Sequence, residues 1–379
     1  MDDLTAAVAD RIRRVEVPLT VVPYAVTGAL GDLLADTPAR LVGPRPDLRA
    51  RLDDKQFVRQ SLARRGVPAV PSISVDLARV TYAELRERLG PDLVVQAARG
   101  SAGFTTTFVG SETDLARVRH PPTTRSPGAR GPHLVAAHAG SCVLNMHLAI
   151  GASATLVSAA SVQLAGLPAY GVPPPVYAGN DFAAAAALPQ PLRHQAATIA
   201  GGVATWLAEL GYRGIAGLDL VTDGTSCQVL EVNPRLQGST WLLGEAQLRA
   251  GQPALLPAMV ADQLWPVTAS PPLSGAQLLL RRPFSSAATL PALPALRQPG
   301  VYRWRRGQLV FDRPAMGLLE CGDDEVFVDG LTDLPAACVA EGAVVARIGC
   351  WQQLVETDGR RLTALGEAVA AHAYGRELV

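Results

Sequence analysis

Residues 217–239 read Gly-Leu-Asp-Leu-Val-Thr-Asp-Gly-Thr-Ser-Cys-Gln-Val-Leu-Glu-Val-Asn-Pro-Arg-Leu-Gln-Gly-Ser and decide the fold of this chain. Two short apolar runs, 215–221 and 227–232, have the composition of β-strands. The residues between them include Asp223 and Gly224, which favour a tight turn. The stretch therefore predicts an antiparallel hairpin.

Three oxygen-bearing side chains fall on this hairpin. Asp219 lies within the first strand, and Glu231 and Asn233 lie at the end of the second, two residues apart and therefore on one face. Pairing of the strands would bring all three together as a partial ligand set that suits Mg²⁺ and nucleotide phosphates. Pro234 ends the strand, and Arg235 adds a cation beside the set. An exposed edge hairpin with solvated acids is the alternative.

Lys55 is the only lysine in the 379-residue chain, whereas arginine is frequent. Its ammonium group is a compact point charge that a forked guanidinium does not replace. The apolar spacing in 51–68 predicts a helix that is capped by Asp53 or Asp54 and stops at Gly66. The position indicates a phosphate contact, and the alternative is an unspecialised lysine on an exposed helix face.

A third segment, 93–109, begins with an apolar run, continues as a Gly/Ser/Thr-rich loop and ends in an alternating strand. Backbone N–H groups of such a loop can surround phosphate oxygens, assisted by hydroxyl groups. A hairpin with a flexible turn has the same composition and stays the alternative. The residues of this segment that we expect near a nucleotide are Gln96, Arg99, Gly100, Ser101, Gly103, Thr105 and Thr106.

In this order along the chain, the three segments resemble the ATP-grasp ligases over roughly residues 52–260. In that family an Asp, a Glu and an Asn two residues later hold the magnesium ions of ATP. The Glu-x-Asn-Pro-Arg form occurs in the branch that includes biotin carboxylase and carboxylate–amine ligases. A similar Asp-Lys segment ending in Gly-Val-Pro carries a lysine that contacts the phosphates of ATP.

The resemblance implies an α/β (α+β) ATP-grasp fold and the cofactors ATP and Mg²⁺ or Mn²⁺. It implies that Asp219, Glu231 and Asn233 bind the metal and that Lys55 binds phosphate. Arg235 stands at the position of a catalytic arginine. The implied reaction activates a carboxylate as an acyl phosphate and joins it to an amine.

The chain departs from the family at two places. Gln96 occupies the position of a second lysine, and Arg99 is a cation that can compensate for it. The acids of the hinge that meet adenine and ribose are missing, and their places are taken by Ala136, Ala137, His138 and Cys142. These changes favour weaker ATP binding, an altered nucleotide preference or lost catalysis.

Substrate selection is expected to fall to polar residues that face the same centre. For Asn145, Gln163 and Asn180 a structural hydrogen bond is an equal alternative, and Asn180 is placed in a loop with turn chemistry. Gln237 and Ser239 are better candidates, because the motif that ends at Arg235 delivers them to the site.

The predicted organisation has four parts. Residues 1–71 form a short α/β unit, 72–138 a lid subdomain, 139–265 a core subdomain with the metal site, and 273–379 a C-terminal β-rich subdomain. Within them we expect a helix at Tyr82–Leu89, a flexible loop at 120–132, one strand at 155–163, a loop at 167–181, and helices at 192–210 and 362–374.

Composition narrows the class of protein. A net charge of zero and the lack of a basic stripe argue against nucleic acid or an acidic membrane as the main partner. The beginning of the chain does not resemble a signal peptide, and the five cysteines have neither metal-site nor disulfide spacing. Free thiols and a cytoplasmic location are expected, with small-molecule carboxylate and amine substrates, and a homodimer is left open.

Three functions remain open at this point. The first is an ATP-dependent carboxylate–amine ligase acting on amino-acid-type substrates in small-molecule biosynthesis. The second is a related enzyme that loads an acyl group onto a carrier-protein thiol. The third is a degenerate ATP-grasp protein that binds nucleotide without ligase activity, which the neutral Gln96 and the altered hinge would favour.

Overall fold

The computed structural model describes residues 2–35, 37–97, 106–120, 132–264, 271–284, 296, 298–332 and 338–375. The elements between Asp2 and Leu52 form a small α/β unit in which two short strands pair in parallel. Its elements are α1 (Asp2–Arg13), β1 (Thr20–Val21), α2 (Gly28–Ala35), β2 (Arg40–Leu41) and α3 (Pro46–Leu52). The helix α4 (Lys55–Ala63) follows directly, and Asp54 caps it by accepting the N–H groups of Gln56 and Phe57.

A four-stranded antiparallel sheet, which we call the small sheet, comes next with the order β3-β6-β4-β5. Two helices on one face cover an apolar core that includes Leu85, Leu93 and Leu115. The elements are β3 (Ser72–Val75), α5 (Tyr82–Leu89), β4 (Leu93–Ala97), β5 (Thr106–Val109), α6 (Glu112–Arg119) and β6 (His133–Ala137). The predicted helix at Tyr82–Leu89 is confirmed, and the predicted flexible loop lies largely outside the described residues.

The rest of the chain builds an 11-stranded sheet, the large sheet, with the order β12-β11-β7-β9-β10-β13-β17-β16-β14-β15 and β8 paired to β7. Its first half consists of β7 (Cys142–Ile150), β8 (Thr155–Val157), β9 (Ser161–Leu167), β10 (Val172–Asp181), β11 (Gly214–Thr222) and β12 (Cys227–Asn233). Its second half consists of β13 (Ala276–Arg281), β14 (Gly300–Arg305), β15 (Gln308–Arg313), β16 (Glu325–Asp329) and β17 (Val344–Cys350). The strands after residue 273 thus continue the sheet that carries the predicted metal hairpin, through the pairing of β10 with β13.

Helices cover both faces of the large sheet. One face carries the larger core, with Leu144 and Leu218 packed in the same cluster as Ala200 and Val369 of the helices. The opposite face carries a second core, in which Ile215 shares a cluster with Leu242. The helices are α7 (Phe182–Ala186), α8 (Gln190–Glu209), α9 (Thr240–Arg249), α10 (Leu255–Val260) and α11 (Ala364–Ala373). No helix within the described residues combines the length and the apolar character needed to cross a membrane.

Two predictions of local structure are wrong. The segment predicted as a loop at 167–181 contains the ten-residue strand β10, which pairs with β9 and β13. Its three consecutive prolines, 173–175, suggested a loop, and they fall where the pairing with β9 is irregular. The strand predicted at 155–163 is two strands, because the chain breaks after Val157 and Ser158 turns its hydroxyl to the N–H of His147.

Candidate active site

The hairpin of β11 and β12 places Asp219 opposite Glu231 and Gly217 opposite Asn233. The register shifts between Asp219 and the next pair, Leu220 with Val229, so Leu230 is an extra residue in β12. This β-bulge is decisive, because side chains alternate along a strand. It turns Glu231 and Asn233 to the face of Asp219, while Val229 stays in the opposite core.

Asp219, Glu231 and Asn233, which we call the oxygen triad, are held by hydrogen bonds. Asn145 Nδ2 donates to Asp219 Oδ1 over 2.6 Å, and Asn233 Nδ2 donates to Asp219 Oδ2 over 3.0 Å. Burial, together with the negative charge of Glu231, raises the pKa of Asp219 to about 6. Two carboxylates beside an amide form a donor set that fits a divalent cation.

Lys55 reaches the triad from the start of α4. Its Nζ lies 3.2 Å from Glu231 Oε2, and the side chain is only 7% exposed. One turn later on the same helix, Arg59 donates from Nε and Nη2 to the carbonyl of Leu230, over 3.2 and 3.1 Å. Burial lowers the pKa of Arg59 to about 10, so it stays a cation at neutral pH. Arg59 therefore holds the bulge beside Glu231.

Arg235 is fixed by neutral partners. Its Nη1 donates to the hydroxyl of Tyr24 over 2.7 Å and to the carbonyl of Leu236 over 3.0 Å, and its Nη2 donates to Asn233 Oδ1 over 3.2 Å. The guanidinium also lies 5.4 Å from the centre of the Tyr24 ring. Within the described residues no carboxylate forms an ion pair with Arg235. Its Nε and one N–H of Nη2 have no protein acceptor there, which leaves donors for a ligand.

These groups border a cavity of about 420 Å³. Lys55, Glu231, Asn233 and Arg235 line it together with Tyr24 and residues of the helix α3. The volume lies within the usual range for small-molecule sites. Asp219 lies beside this cavity through its contacts with Asn233.

Gln96 lies on the small sheet, where its Nε2 donates to Thr106 Oγ1 over 3.0 Å. Its Oε1 is buried and has no hydrogen-bond partner in the described part of the chain. By strand pairing, Gln96 shares a face with Val94 and Ala136, and Ala136 packs against Val221 of the large sheet. Gln96 therefore faces the large sheet. The other predicted loop residues, Arg99, Gly100, Ser101, Gly103 and Thr105, lie outside the described residues.

A buried polar network lies next to the triad. Asn145 Nδ2 donates to Gln237 Oε1, and Ser239 Oγ donates to Asn145 Oδ1 over 2.8 Å. Thr240 Oγ1 accepts the N–H of Gln237 and lies 3.0 Å from His147 Nε2. Burial lowers the pKa of His147 to about 3, so this imidazole is neutral. The network fixes Asn145, Gln237 and Ser239 around Asp219, and their contact with a substrate stays a prediction.

Asn180 and Gln163 lie on the neighbouring strands β10 and β9, farther from the triad. Asn180 is buried in β10, so its predicted place in a loop is wrong, and its Nδ2 donates to Ser161 Oγ over 3.0 Å. The Tyr177 hydroxyl donates to Asn180 Oδ1. Gln163 pairs with Asn180 across the strands and does not line the cavity. The structure therefore groups Asn145, Gln237 and Ser239 with the triad and leaves these two residues apart from it.

Sequence reasoning missed Tyr24 and Arg59. Tyr24 lies far from the motif in the chain, and nothing in its local pattern indicates that its hydroxyl meets Arg235. Arg59 had a weak signal, because it follows Lys55 by four residues and shares its face of the helix. Its carbonyl acceptor on Leu230 depends on the bulge, which the sequence does not reveal.

Comparison with known proteins agrees with this geometry. Residues 149–239, which include β11, β12 and the oxygen triad, match the ATP-grasp domain family. No curated protein sequence matches this chain at a significant level.

Solved ATP-grasp structures match nearly the whole chain. One is carboxyaminoimidazole ribonucleotide synthase from Aspergillus clavatus, complexed with ATP, with 12% identity, a TM-score of 0.58, and coverage of 92% of this chain and 80% of that one. Another is the biotin carboxylase domain of 2-oxoglutarate carboxylase from Hydrogenobacter thermophilus with MgADP and bicarbonate, with 12% identity, a TM-score of 0.59, and coverage of 92% and 73%. Biotin carboxylase from Campylobacter jejuni matches with 15% identity, a TM-score of 0.58, and coverage of 85% and 68%. At these identities the likeness establishes the ATP-grasp fold and leaves the reaction open.

Proposed function

We propose that this ATP-grasp protein uses ATP to activate a carboxylate as an acyl phosphate and then joins the acyl group to an amine. The observation that carries the proposal is Arg235, a guanidinium with unused donors and no ion-pair partner among the described residues, which lines one cavity with Lys55 and Glu231. A planar guanidinium binds a carboxylate through two parallel hydrogen bonds. Amino-acid-type compounds are the proposed substrates, and the cytoplasm is the proposed location.

The proposed reaction has two steps. A carboxylate oxygen attacks the γ-phosphorus of ATP, forming a C–O–P bond while the bond to the β-phosphate oxygen breaks and ADP leaves. The amine nitrogen then attacks the acyl carbon, forming the C–N bond, and inorganic phosphate leaves as the nitrogen loses a proton. Both steps depend mainly on positioning and charge neutralisation.

Each residue has a proposed part in these steps. Arg235 orients the carboxylate through its Nε and Nη2 donors. Lys55 binds phosphate oxygens, and its 3.2 Å contact with Glu231 supports this role because the ammonium group lies next to the triad. Asp219, Glu231 and Asn233 would hold Mg²⁺ or Mn²⁺, which supplies positive charge to the phosphate oxygens when bound. Gln96 and the loop after it are proposed to contact the nucleotide, and Arg59 holds the strand that carries Glu231.

The structural neighbours support the nucleotide part of the proposal, since the Aspergillus clavatus synthase was crystallised with ATP and the Hydrogenobacter thermophilus domain with MgADP. Hydroxylamine provides a direct test, because it traps acyl phosphates as hydroxamates. We expect ADP and a hydroxamate to form in equal amounts when the protein is given ATP, Mg²⁺, hydroxylamine and a suitable acid from an amino-acid panel. An Arg235→Met variant should form neither.

A second experiment identifies the nucleophile. With the identified acid, amines and a carrier-protein thiol are offered in place of hydroxylamine, and the condensed product is identified by mass. Product from amines alone supports the ligase, and product from the thiol alone would replace it with acyl loading. If ATP binds and no acid supports ADP release, the proposal is wrong and nucleotide binding without ligase activity takes its place.

A further inference from the structure

The cavity beside the oxygen triad is lined by five charged side chains, of which four form pairs. Lys55 pairs with Glu231 over 3.2 Å, and Arg49 Nε lies 3.4 Å from Asp53 Oδ2. Arg235 is the fifth, and only neutral groups in the described chain hold it. Arg235 is therefore the one charged group of this lining without a direct ion-pair partner among the described residues, although the charge of Asp219 acts on it.

The two ion pairs would meet different parts of the bound ligands. Lys55 and Glu231 belong to the phosphate and metal side under the proposed function. Arg49 and Asp53 belong to α3 and its end and also line the cavity. Arg49 is anchored there, because its Nη1 donates to the carbonyl of Val26 and its Nε is buried without a hydrogen bond. Asp53 is therefore the counter-charge of Arg49, the one further cation in the lining of the cavity that a second negative group on the substrate could meet.

The remaining wall is largely apolar. Ala25, Ala50, Leu52 and Val58 line the cavity, together with Leu230 and Val232 of β12. A ligand that fills this space gains from burying hydrocarbon, and an unpaired charge placed there is costly. The cavity therefore combines one anion-binding point with apolar side chains on the part of its wall that carries no charge.

We propose that this cavity selects an acid with a single carboxylate and an apolar body, and excludes dicarboxylic and phosphorylated acids. The proposal rests on the proposed function, since it assigns the cavity to the activated substrate. Arg235 takes the carboxylate. A second negative group would meet Asp53, whose charge repels it while Arg49 stays engaged, and this is how a site discriminates by repulsion.

Three amino acids of different charge test the selection in the hydroxamate assay: L-norleucine, L-glutamate and O-phospho-L-serine. We expect kcat/KM for norleucine to exceed the values for the other two at least tenfold. Equal or higher values for glutamate or phosphoserine would overturn the inference while leaving the proposed function intact.

A variant that is expected to accept glutamate provides a second test. Asp53→Asn leaves Arg49 without its counter-charge, and we expect the ratio of kcat/KM for glutamate to that for norleucine to rise at least fivefold. Adding Arg49→Met should cancel this rise. Asp47→Asn is the matched control, because Asp47 lies on the same helix, is 67% exposed and pairs with Arg45 outside the cavity. An unchanged ratio in Asp53→Asn contradicts the inference.

If none of the three acids yields hydroxamate, the panel gives no support to the proposed function and the selection is measured by binding. Calorimetric titration of the three acids into the protein should then give the same order, with norleucine binding at least tenfold more tightly than glutamate. Equal affinities overturn the inference in that case too.

Discussion

Glu231 shows how much depends on a single residue in this site. It lies 3.2 Å from Lys55, opposite Asp219 in the hairpin, and it reaches this face only because Leu230 is an extra residue in the strand. The carboxylate therefore serves two partners, a cation from α4 and the proposed metal. Removing its charge while keeping its shape separates these contributions from packing.

Glu231→Gln is expected to abolish most Mg²⁺-dependent ADP release, because it removes one of two charged ligands and leaves Lys55 without its counter-charge. The measurement is the initial rate of ADP release as a function of Mg²⁺ concentration. Glu209→Gln is the control, since Glu209 is 49% exposed and pairs with Arg65 away from the cavity. Identical Mg²⁺ dependence in the wild type and Glu231→Gln would remove Glu231 from the metal site.

Gln96 is the residue at which the chain departs from the family pattern. Its Nε2 donates a hydrogen bond to Thr106. A neutral amide therefore stands where the family has a charged lysine, on the face that Gln96 shares with Ala136. If this face meets phosphate, Gln96→Lys should keep or tighten ATP binding, because charge-assisted hydrogen bonds are roughly twice as strong as neutral ones. Gln96→Ala should weaken it.

Calorimetric titration of ATP with Mg²⁺ into the three proteins distinguishes the possibilities. Weaker binding by Gln96→Lys would indicate that Arg99 already supplies the charge and that a second cation crowds it. Equal affinities in all three proteins would separate position 96 from the nucleotide altogether.

The local parts of the site could be predicted from the sequence, and the parts set by register or by distant contacts could not. The hairpin, the cap at Asp54 and the shared face of Glu231 and Asn233 follow from alternation and turn chemistry within short segments, whereas their meeting with Asp219 requires the bulge. The bulge at Leu230 depends on how two strands pair, and no local pattern in β12 specifies it. Tyr24 reaches Arg235 across more than two hundred residues, so only the folded chain reveals it.

At the scale of elements, the junction between β10 and α7 depends on one buried carboxylate. Asp181 Oδ1 accepts the N–H of Ala184 and caps the helix, and Oδ2 accepts the N–H groups of Leu354 and Val355 from a distant loop. Sequence reasoning placed this segment in a loop, because Pro173-Pro174-Pro175 and Gly179-Asn180 are typical of turns. The pairing of β10 with strands on both sides overrides that local preference.

The stability of this junction is expected to depend on pH. Burial raises the pKa of Asp181 from 3.8 to about 6, against the effect of its backbone hydrogen bonds, so the folded state binds the proton more tightly than the unfolded state. The resulting stabilisation is fully present below about pH 4 and is lost as the pH rises through about 6. It amounts to about 3 kcal/mol for a pKa difference of this size.

Asp181→Asn removes this titration and provides the comparison. The free energy of unfolding of the wild type, relative to the variant, should fall by about 3 kcal/mol between pH 4 and pH 7, as measured by urea denaturation. Parallel pH profiles for the two proteins would show that Asp181 does not titrate in this window.

At the scale of the whole molecule, one sheet connects the proposed metal hairpin to the end of the chain. The large sheet extends from β12 at one edge to β15 at the other. The N-terminal segment contacts the hairpin through Val42, which packs with Ile215, and through Tyr24. The carbonyl of Tyr24 accepts the N–H of Leu236 over 2.9 Å, and the Tyr24 hydroxyl accepts from Arg235. The orientation of Arg235 thus depends on a segment outside the sheet.

This connection predicts a defect in substrate binding without a loss of folding. Tyr24 is 58% exposed, so its side chain contributes little to the core. Tyr24→Phe keeps the ring beside the guanidinium and loses the hydrogen bond, and we expect KM for the carboxylate substrate to rise about fivefold, for a contact of about 1 kcal/mol. Tyr24→Ala should raise it further, while the melting temperature and the KM for ATP stay near the wild-type values.

Tyr82→Phe is the matched control, because the Tyr82 hydroxyl donates to the carbonyl of Pro91, just before β4 of the small sheet and outside the contacts of Arg235. A uniform loss of kcat with unchanged KM in the Tyr24 variants would assign the tyrosine to a later step than carboxylate binding. A lowered melting temperature in Tyr24→Ala would instead mean that Tyr24 secures the N-terminal segment to the large sheet. In either case Arg235 would have to be oriented by Asn233 and the Leu236 carbonyl, its two other partners.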